Sequence, residues 1–478
     1  LKENFVRRTT DTNRIVKRPG RACLGLVIAL TLITSSVSSC FAQAGDSGLL
    51  PKGFRPPPPI PAELAIENPL VTEDEVTAWK PKRLEFQDAL SKKLAGDVPK
   101  TIDEGFRINV QELSIVEKRD ELTNIRKGIV RYIDNYVPEK NEDEKKFACK
   151  TVVKYAKTLL DGNFHVRMQA ILLIGSLDIS PEVPGLRPKP AVAYIDGLTT
   201  LLDVIHAPKD GIEQPEPVRI LAAMAATRLL ERGRHTLKVN SKIPVDCAKR
   251  MLEELKGNGS DWYHQRLIEA LAQTALSSVP NDQNQQEPLI VEALAKILSN
   301  PRRSNQIRAR AAYLLGRVPM PGGLQAAPIA YSIVKLTQKI ATEVNQRRVS
   351  GEDAIFRFND IYLAFVPASK GESTTDGRKG AGLLSTLNQK PIQDAYKDIK
   401  PLVQLIFRQF QAAGNNAVQV VFPAAMVAKL NAWLKPDDMA LGTDRPPIDI
   451  SDKPPAVATS KTGPPQASRQ ATKVNPAS

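Results

Sequence analysis

The chain has 478 residues, of which 42% are apolar, 25% are charged and only 5% are aromatic, and its formal net charge is +14. These values are ordinary for a globular protein and exclude collagen and a polytopic membrane protein. Four cysteines in this length cannot form a disulfide framework. The core must therefore be built mainly from Ala, Leu, Ile and Val.

Residues 1–44 have the pattern of a secretory signal peptide. Residues 1–21 carry a net charge of +5, residues 22–44 contain no charged side chain, and the most apolar stretch covers residues 22–33. That stretch is shorter than the roughly 20 apolar residues that a membrane-spanning helix needs. Ala42 and Ala44 fit the small-residue cleavage site. The sequence predicts cleavage after Ala44 and export, to the periplasm or the exterior of a bacterial cell.

Two alternatives for this segment remain open. The tetrapeptide that ends at Cys40 resembles the bacterial lipobox, in which the Cys is acylated and becomes the new N-terminus. Acylation of Cys40 would make the protein a membrane-anchored lipoprotein. The other alternative is an uncleaved segment that remains as a membrane anchor.

Two further segments have biased compositions. Residues 45–80 are predicted to be a Pro-rich linker, because Pro at positions 56–59 and 61 favours an extended polyproline conformation. Residues 436–478 are rich in Pro, Ser, Thr and Ala and contain few large apolar side chains. Such a segment cannot offset the entropy of ordering, so we predict a disordered tail.

Between these segments the pattern is helical, because apolar residues recur at i, i+3, i+4 and i+7. Four similar segments within residues 145–318 each contain an Arg that is followed three or four residues later by Ala. These are Arg167, Arg219, Arg266 and Arg308, separated by 52, 47 and 42 residues. An amphipathic helix precedes each segment, at 147–160, 191–205, 245–255 and 288–298. One helix cannot bury its apolar stripe alone, so the pairs are expected to stack on their neighbours.

The second helix of each unit resembles that of the HEAT-repeat family of α-solenoids, which typically reads Val-Arg, Ala-Ala and Leu-Gly. The closest matches are Val166-Arg167 with Ile174-Gly175, and Ile307-Arg308 with Ala311-Ala312 and Leu315-Gly316. The third unit departs from the pattern, because Gln265 replaces the Val and no Gly follows.

The resemblance implies an all-α fold, a right-handed α-solenoid of stacked antiparallel helix pairs. Flanking helices are expected in 81–144, one of them across 110–137, and helices in 319–435 would continue the stack. HEAT arrays are mostly scaffolds with a concave binding face, and a minority are enzymes, so the fold alone does not choose a function.

Eight arginines are the candidate site residues of the repeats. Arg167, Arg219 and Arg266 are expected to bond acidic groups or carbonyls of an adjacent turn. Five others fall within sixteen residues of the fourth unit with no acidic residue among them: Arg302, Arg303, Arg308, Arg310 and Arg317. We predict that these five bind an anion of a lipid, a wall polymer or an acidic partner, and the alternative is a solvated face.

The remaining chemistry of the sequence is sparse. Cys149 and Cys247 occupy near-equivalent sites two repeats apart, roughly 20 Å at the usual helix spacing, whereas a disulfide needs Cα atoms within about 7 Å. We therefore predict two free, buried thiols. His165 and His264 are also two layers apart, and the chain has no H-E-x-x-H or C-x-x-C pair. The prediction is therefore no metal and no cofactor.

The sequence thus predicts a non-enzymatic exported scaffold or adaptor that binds a protein or an anionic envelope component through its concave face. Residues 45–478 carry about +9, and outside the cytoplasm the anionic partners are lipids, wall polymers and acidic proteins. Nucleic acid is not expected as a partner. Association with a membrane is expected only if Cys40 is acylated or the N-terminal segment remains as an uncleaved anchor. Two alternatives remain: an enzyme with acid–base groups that converge in the groove, and a cytoplasmic nucleic-acid-binding protein.

Overall fold

The computed structural model describes residues 68–182, 189–207, 213–233, 237, 242–281, 283–367, 382–413 and 420–433. The chain divides into two units, residues 1–60 and residues 61–478, and every described residue belongs to the second. The described residues are mostly helical, which confirms the predicted all-α class. The predicted signal peptide with Cys40, Ala42 and Ala44, most of the Pro-rich linker and the predicted tail lie outside the described residues.

The helices follow one another along the chain with short connections. In chain order they are α1 (Glu73–Trp79), α2 (Arg83–Ser91), α3 (Val98–Gln111), α4 (Leu122–Tyr136), α5 (Glu142–Thr158), α6 (Phe164–Ser176), α7 (Gly197–Ile205), α8 (Glu216–Gly233), α9 (Lys242–Glu254), α10 (Asp261–Gln273), α11 (Leu289–Ser299), α12 (Asn305–Leu315), α13 (Ala327–Asn345), α14 (Gly351–Phe365), α15 (Leu383–Thr386), α16 (Lys390–Ala413) and α17 (Ala424–Asn431).

Two short antiparallel ribbons interrupt the helices. Strands β1 (Asp178–Ser180) and β2 (Val192–Ala193) pair with Asp178 opposite Ala193, and β3 (Val279–Pro280) and β4 (Gln286–Glu287) pair with Val279 opposite Glu287. None of the described helices has both the length and the apolar content that a membrane crossing requires.

Twelve of these helices pack as six consecutive pairs. The first helices of the pairs are α3, α5, α7, α9, α11 and α13, and the second helices are α4, α6, α8, α10, α12 and α14. Each first helix packs against the second helix of its pair, and each helix also packs against its counterpart in the next pair. From α6 to α14 the second helices contact one another more extensively than the first helices do. Two more pairs than the four predicted units therefore share this packing.

Large rings close both ends of the paired region. Helix α2 packs on α3 and α4, where the Phe86 ring lies 5.2 Å from the rings of Phe106 and Tyr132. At the other end α16 packs on α13 and α14, and α17 packs on α13 and α16. There the Phe358 ring lies 5.1 Å from that of Phe422. Between the ends the buried side chains are mainly Ala, Leu, Ile and Val.

Two predicted helices differ from the structure. The predicted flanking helix across 110–137 is two helices, because α3 ends at Gln111 and 3-10 turns occupy 112–114 and 116–121 before α4 begins. The predicted helix from residue 191 begins only at Gly197, because Val192 and Ala193 pair with β1. In both places the apolar pattern of the sequence continues, although the backbone makes other hydrogen bonds there.

The helix caps correct the predicted register of the third unit. Arg167, Arg219 and Arg308 each donate their backbone N–H to the carbonyl four residues earlier, on Asn163, Pro215 and Ser304, where the second helix begins. In the third unit the residue that does so is His264, which donates to the cap residue Ser260. The counterpart of the repeat arginines is therefore His264 and not Arg266.

Candidate functional site

Arg167 and Arg219 bind groups at the turn between paired helices. The Arg167 side chain is buried and donates from Nε to the Gly162 carbonyl at 2.6 Å and from a terminal nitrogen to Gln214 Oε1 at 2.8 Å. Arg219 pairs with Glu254 of the next first helix at 3.1 Å and lies 4.8 Å from the centre of the Tyr263 ring. These bonds fix each second helix to the adjoining turns.

The five arginines of the fourth unit do not form one exposed patch. Arg303 is 5% exposed and pairs with Asp261 at 3.0 Å, and Arg308 is 2% exposed and donates to the Leu298 carbonyl. Arg317 is buried against the Tyr313 ring and donates to the Val366 carbonyl. Arg310 is ion-paired, and only Arg302 is exposed. The prediction that these five arginines form one anion-binding patch is therefore wrong. Four of the five are buried or ion-paired, and the acids that pair with Arg303 and Arg310 are distant in sequence.

Arg310 lies at the centre of a charged network across three second helices. Its Nε donates to Glu269 Oε1 on α10 at 2.7 Å, and a terminal nitrogen donates to Asp360 Oδ1 on α14 at 3.2 Å. Arg266 donates to the other oxygen of Glu269 at 2.6 Å. Glu269 is only 8% exposed. One guanidinium thus joins two carboxylates from the helices on either side.

Burial and charge in this network oppose each other. Burial raises the pKa of Asp360, Glu269 adds to that effect, and the attraction of Arg310 offsets it only in part. Burial alone would lower the pKa of Arg310, but Glu269 and Asp360 outweigh burial and leave that pKa raised. Arg310 therefore stays charged, and the pKa of Asp360 is held above its usual range.

A second row of side chains lies one helical turn nearer the N-terminal ends of the same helices. Gln306 on α12 donates to Gln265 on α10 at 3.2 Å. Phe356 on α14 is four residues before Asp360, so it lies on the same side of its helix, and it is 73% exposed. We call the two rows together the second-helix face, made of Gln265, Glu269, Gln306, Arg310, Phe356 and Asp360.

Sequence reasoning identified Arg310 but not its partners. Glu269 and Asp360 are 41 and 50 residues away in the chain, so no local motif joins them to Arg310. The repeat interval was the available signal, because Glu269 and Arg310 lie on adjacent units. Arg266, expected to fix a turn, is part of this network instead.

Cys149 and Cys247 are free and fully buried, which confirms their predicted burial. Burial raises the pKa of the Cys149 thiol far above its usual range and that of Cys247 to about 12. Both thiols are therefore held in the protonated, unreactive form. In the described residues no group of His, Cys, Asp and Glu could hold a metal ion.

His264 occupies the most enclosed polar position of the third unit. It is 0% exposed, and neither ring nitrogen has a hydrogen bond of normal geometry within the described part of the chain. Burial lowers the pKa of His264 to about 4, Arg303 and Arg219 add to this effect, and Asp261 and the Gly257 carbonyl oppose it. At neutral pH the imidazole is therefore uncharged.

A second, partly buried charged cluster lies around β1. Arg228 and Arg232 of α8 both donate to Asp178 Oδ2, at 2.8 and 2.9 Å. Lys145 of α5 is fully buried, and its ammonium has no hydrogen-bond partner among the described residues. Burial raises the pKa of the nearby Asp134, and Lys145 opposes that shift. These charges connect α4, α5, β1 and α8.

Comparisons with known proteins add no relative: no protein-family model matches the chain, and no curated protein matches it.

Proposed function

We propose that this chain is a non-enzymatic helical-repeat scaffold of the HEAT type, exported from a bacterial cell. In this proposal the six pairs form a right-handed α-solenoid, and the second helices lie on its concave side. Support comes from the packing between α6 and α14, where the second helices contact one another more extensively than the first helices do, as expected on the inner side of a curve. The repeat residues quoted above support the family assignment.

The proposed ligand is a segment of a protein, or an anionic envelope component, that lies across α10, α12 and α14. The observation that carries this proposal is the 73% exposed Phe356 beside a rigid polar network. An exposed aromatic ring on a fixed framework offers contact area at little entropic cost, as in protein interfaces. Gln306, also exposed, offers amide groups for a bound backbone.

The enzymatic alternative has weaker support. Clustered acids in the groove would favour it, and Glu269 and Asp360 do lie close together through Arg310. A general acid or base, however, must be able to reach a substrate. Glu269 accepts bonds from Gln265, Arg266 and Arg310 and is nearly buried, so its oxygens are already used.

Site-specific photo-crosslinking tests the proposed face. A benzophenone amino acid replaces Phe356 in one variant and Leu84 in a control variant, because Leu84 of α2 is 77% exposed and lies outside the face. Both are expressed in the native cell and illuminated. We expect one discrete adduct from position 356 that position 84 does not give. Identical adducts from both positions, or none from 356, would reject the face as the binding surface.

The intact mass of the native protein tests the proposed location. A soluble species that begins at Gly45 supports export after signal cleavage, and a membrane species that begins at an acylated Cys40 supports the lipoprotein alternative. An uncleaved soluble chain would refute export. That result would favour the nucleic-acid-binding alternative, which a steep salt dependence of DNA or RNA binding would support.

A further inference from the structure

Exposed aromatic and basic side chains meet along one edge of the second-helix face, at the turns within the pairs. We call this the arginine–aromatic edge, made of Trp262, Arg302, Arg347, Arg348 and Phe356. Trp262 is 55% exposed and Phe356 is 73% exposed, and the three arginines are exposed as well. Large apolar rings in water beside positive charge are a surface that favours a partner.

Hydrogen bonds show that the edge is continuous. Asp261, next to Trp262, accepts from the Ser304 backbone N–H at 2.7 Å, which brings α10 to the turn that carries Arg302. Asn305 donates to Glu343 at 2.6 Å, and the Arg348 backbone N–H donates to the Glu343 carbonyl at 2.8 Å. The three turns are therefore held side by side.

The three arginines of the edge have available charge. Within the described part of the chain, Arg302, Arg347 and Arg348 form no ion pair, in contrast to Arg303 and Arg310. The nearby acids are engaged elsewhere: Arg303 binds Asp261, and Asn305 binds Glu343. Glu352 and Asp353, in the first turn of α14, are the exposed carboxylates beside them. An occupant that brings several carboxylates, more than Glu352 and Asp353 repel, and apolar groups for the two rings matches this edge.

The chain itself contains a segment with this chemistry. Residues 436–452 carry five Asp and one Arg, a net charge of −4, and include Met439, Leu441, Ile448 and Ile450. The last described residue before it, Trp433, donates to Asp398 of α16, which packs on α14. Seventeen residues can span up to about 60 Å. The described chain thus ends at Trp433, next to α16, which packs on the pair that carries three of the five edge residues.

We propose that the acidic segment 436–452 docks on the arginine–aromatic edge of its own chain. A tether of this length gives an effective concentration on the order of millimolar. A contact that is weak between separate molecules is therefore mostly formed within one chain. The proposal does not rest on the proposed function, but where both hold, the segment and the partner compete for Phe356.

Acrylamide quenching of tryptophan fluorescence in the full chain tests the docking. Of the three tryptophans, Trp79 is buried, Trp433 is partly buried and Trp262 is 55% exposed, so Trp262 is the most accessible to the quencher. The comparison is with a full-length variant in which the five acids are neutralised: Asp437→Asn, Asp438→Asn, Asp444→Asn, Asp449→Asn and Asp452→Asn. We expect quenching to rise about twofold in this variant and in the native chain at high salt. The rise should be absent when Trp262 is replaced by Phe. Equal quenching of the two chains overturns the proposal.

A synthetic peptide of residues 434–453 gives a second readout. It should bind the neutralised variant with a Kd on the order of 100 µM, and the triple change Arg302→Glu, Arg347→Glu and Arg348→Glu should weaken binding at least tenfold. The matched control is Lys92→Glu with Lys93→Glu, two exposed lysines after α2. Protection of Trp262 that grows with protein concentration would assign the edge to a second copy. Binding of inorganic phosphate without peptide binding would assign it to small anions. Either result overturns the proposal.

Discussion

Protonation of His264 should make this protein sensitive to mild acid. The imidazole is fully buried with a pKa of about 4 in the folded chain, against 6.5 for the exposed side chain. A pKa lowered by folding means that the folded state disfavours the proton. The stability associated with His264 is therefore complete above about pH 6.5 and is lost as the pH falls toward 4.

The size of the effect follows from the difference between the two pKa values. One pKa unit corresponds to about 1.4 kcal/mol, so the full loss between the two pKa values is about 3 kcal/mol. At pH 5 the folded His264 is still mostly neutral while the unfolded one is mostly charged, and the loss has reached about 2 kcal/mol. That is a large fraction of the stability of an ordinary domain.

Urea unfolding at constant ionic strength, followed by circular dichroism at 222 nm, measures this loss. The free energy of unfolding is compared between pH 7.5 and pH 5 for the native chain and for His264→Gln, which cannot titrate. We expect the variant to lose about 2 kcal/mol less than the native chain over this range. The comparison variant is His165→Gln: the His165 side chain is exposed, and because partial burial and Arg119 also lower its pKa, this change should reduce the loss by less than His264→Gln does. Equal losses in the native chain and His264→Gln would refute the assignment of His264 as a buried neutral group.

Four further predictions follow from packing and charge. Arg310→Ala leaves Glu269 and Asp360 without their shared cation and should lower the free energy of unfolding in urea by about 2–3 kcal/mol. The control Arg302→Ala, at an exposed position, should change it by less than about 0.5 kcal/mol. Equal effects of the two changes would contradict the network. Gly316→Ala would place a Cβ atom 2.2 Å from a backbone oxygen of α14 and should lower stability by about 1–3 kcal/mol. Gly128→Ala meets open space inside α4 and should raise stability by about 0.5–1 kcal/mol; a loss there would refute the packing. The two buried cysteines should resist alkylation by iodoacetamide at pH 8 until urea unfolds the chain, and rapid labelling of the folded protein would contradict their burial.

The sequence predicted the features that depend on local periodicity. The all-α class and the burial of Cys149 and Cys247 follow from apolar spacing and repeat position, and the structure confirms both. The predicted register of the third unit is wrong, because it aligns Arg266 with the repeat arginines. The cap at Ser260 sets the start of this helix and aligns His264 with them instead.

The arginine cluster failed for a different reason. A basic run without nearby acids looks unpaired in sequence, yet Arg303 and Arg310 find carboxylates 42 and 41 residues earlier. The distance corresponds to one repeat, so the compensation becomes visible only when adjacent units are aligned by their caps. The exposed edge residues Arg347 and Arg348 belong to no motif, and only the packing of consecutive turns places them on the same edge as Arg302 and Trp262.

The clusters of large rings at the two ends of the paired region affect how the number of helix pairs can change during evolution. The Phe86 and Phe358 clusters close the ends, while the pairs between them bury mainly aliphatic side chains. Because a pair touches chiefly its immediate neighbours, an inner pair can be duplicated or lost without rebuilding either end. An engineered chain with one inner pair duplicated in register would keep both ends unchanged while its row of second helices grew by one.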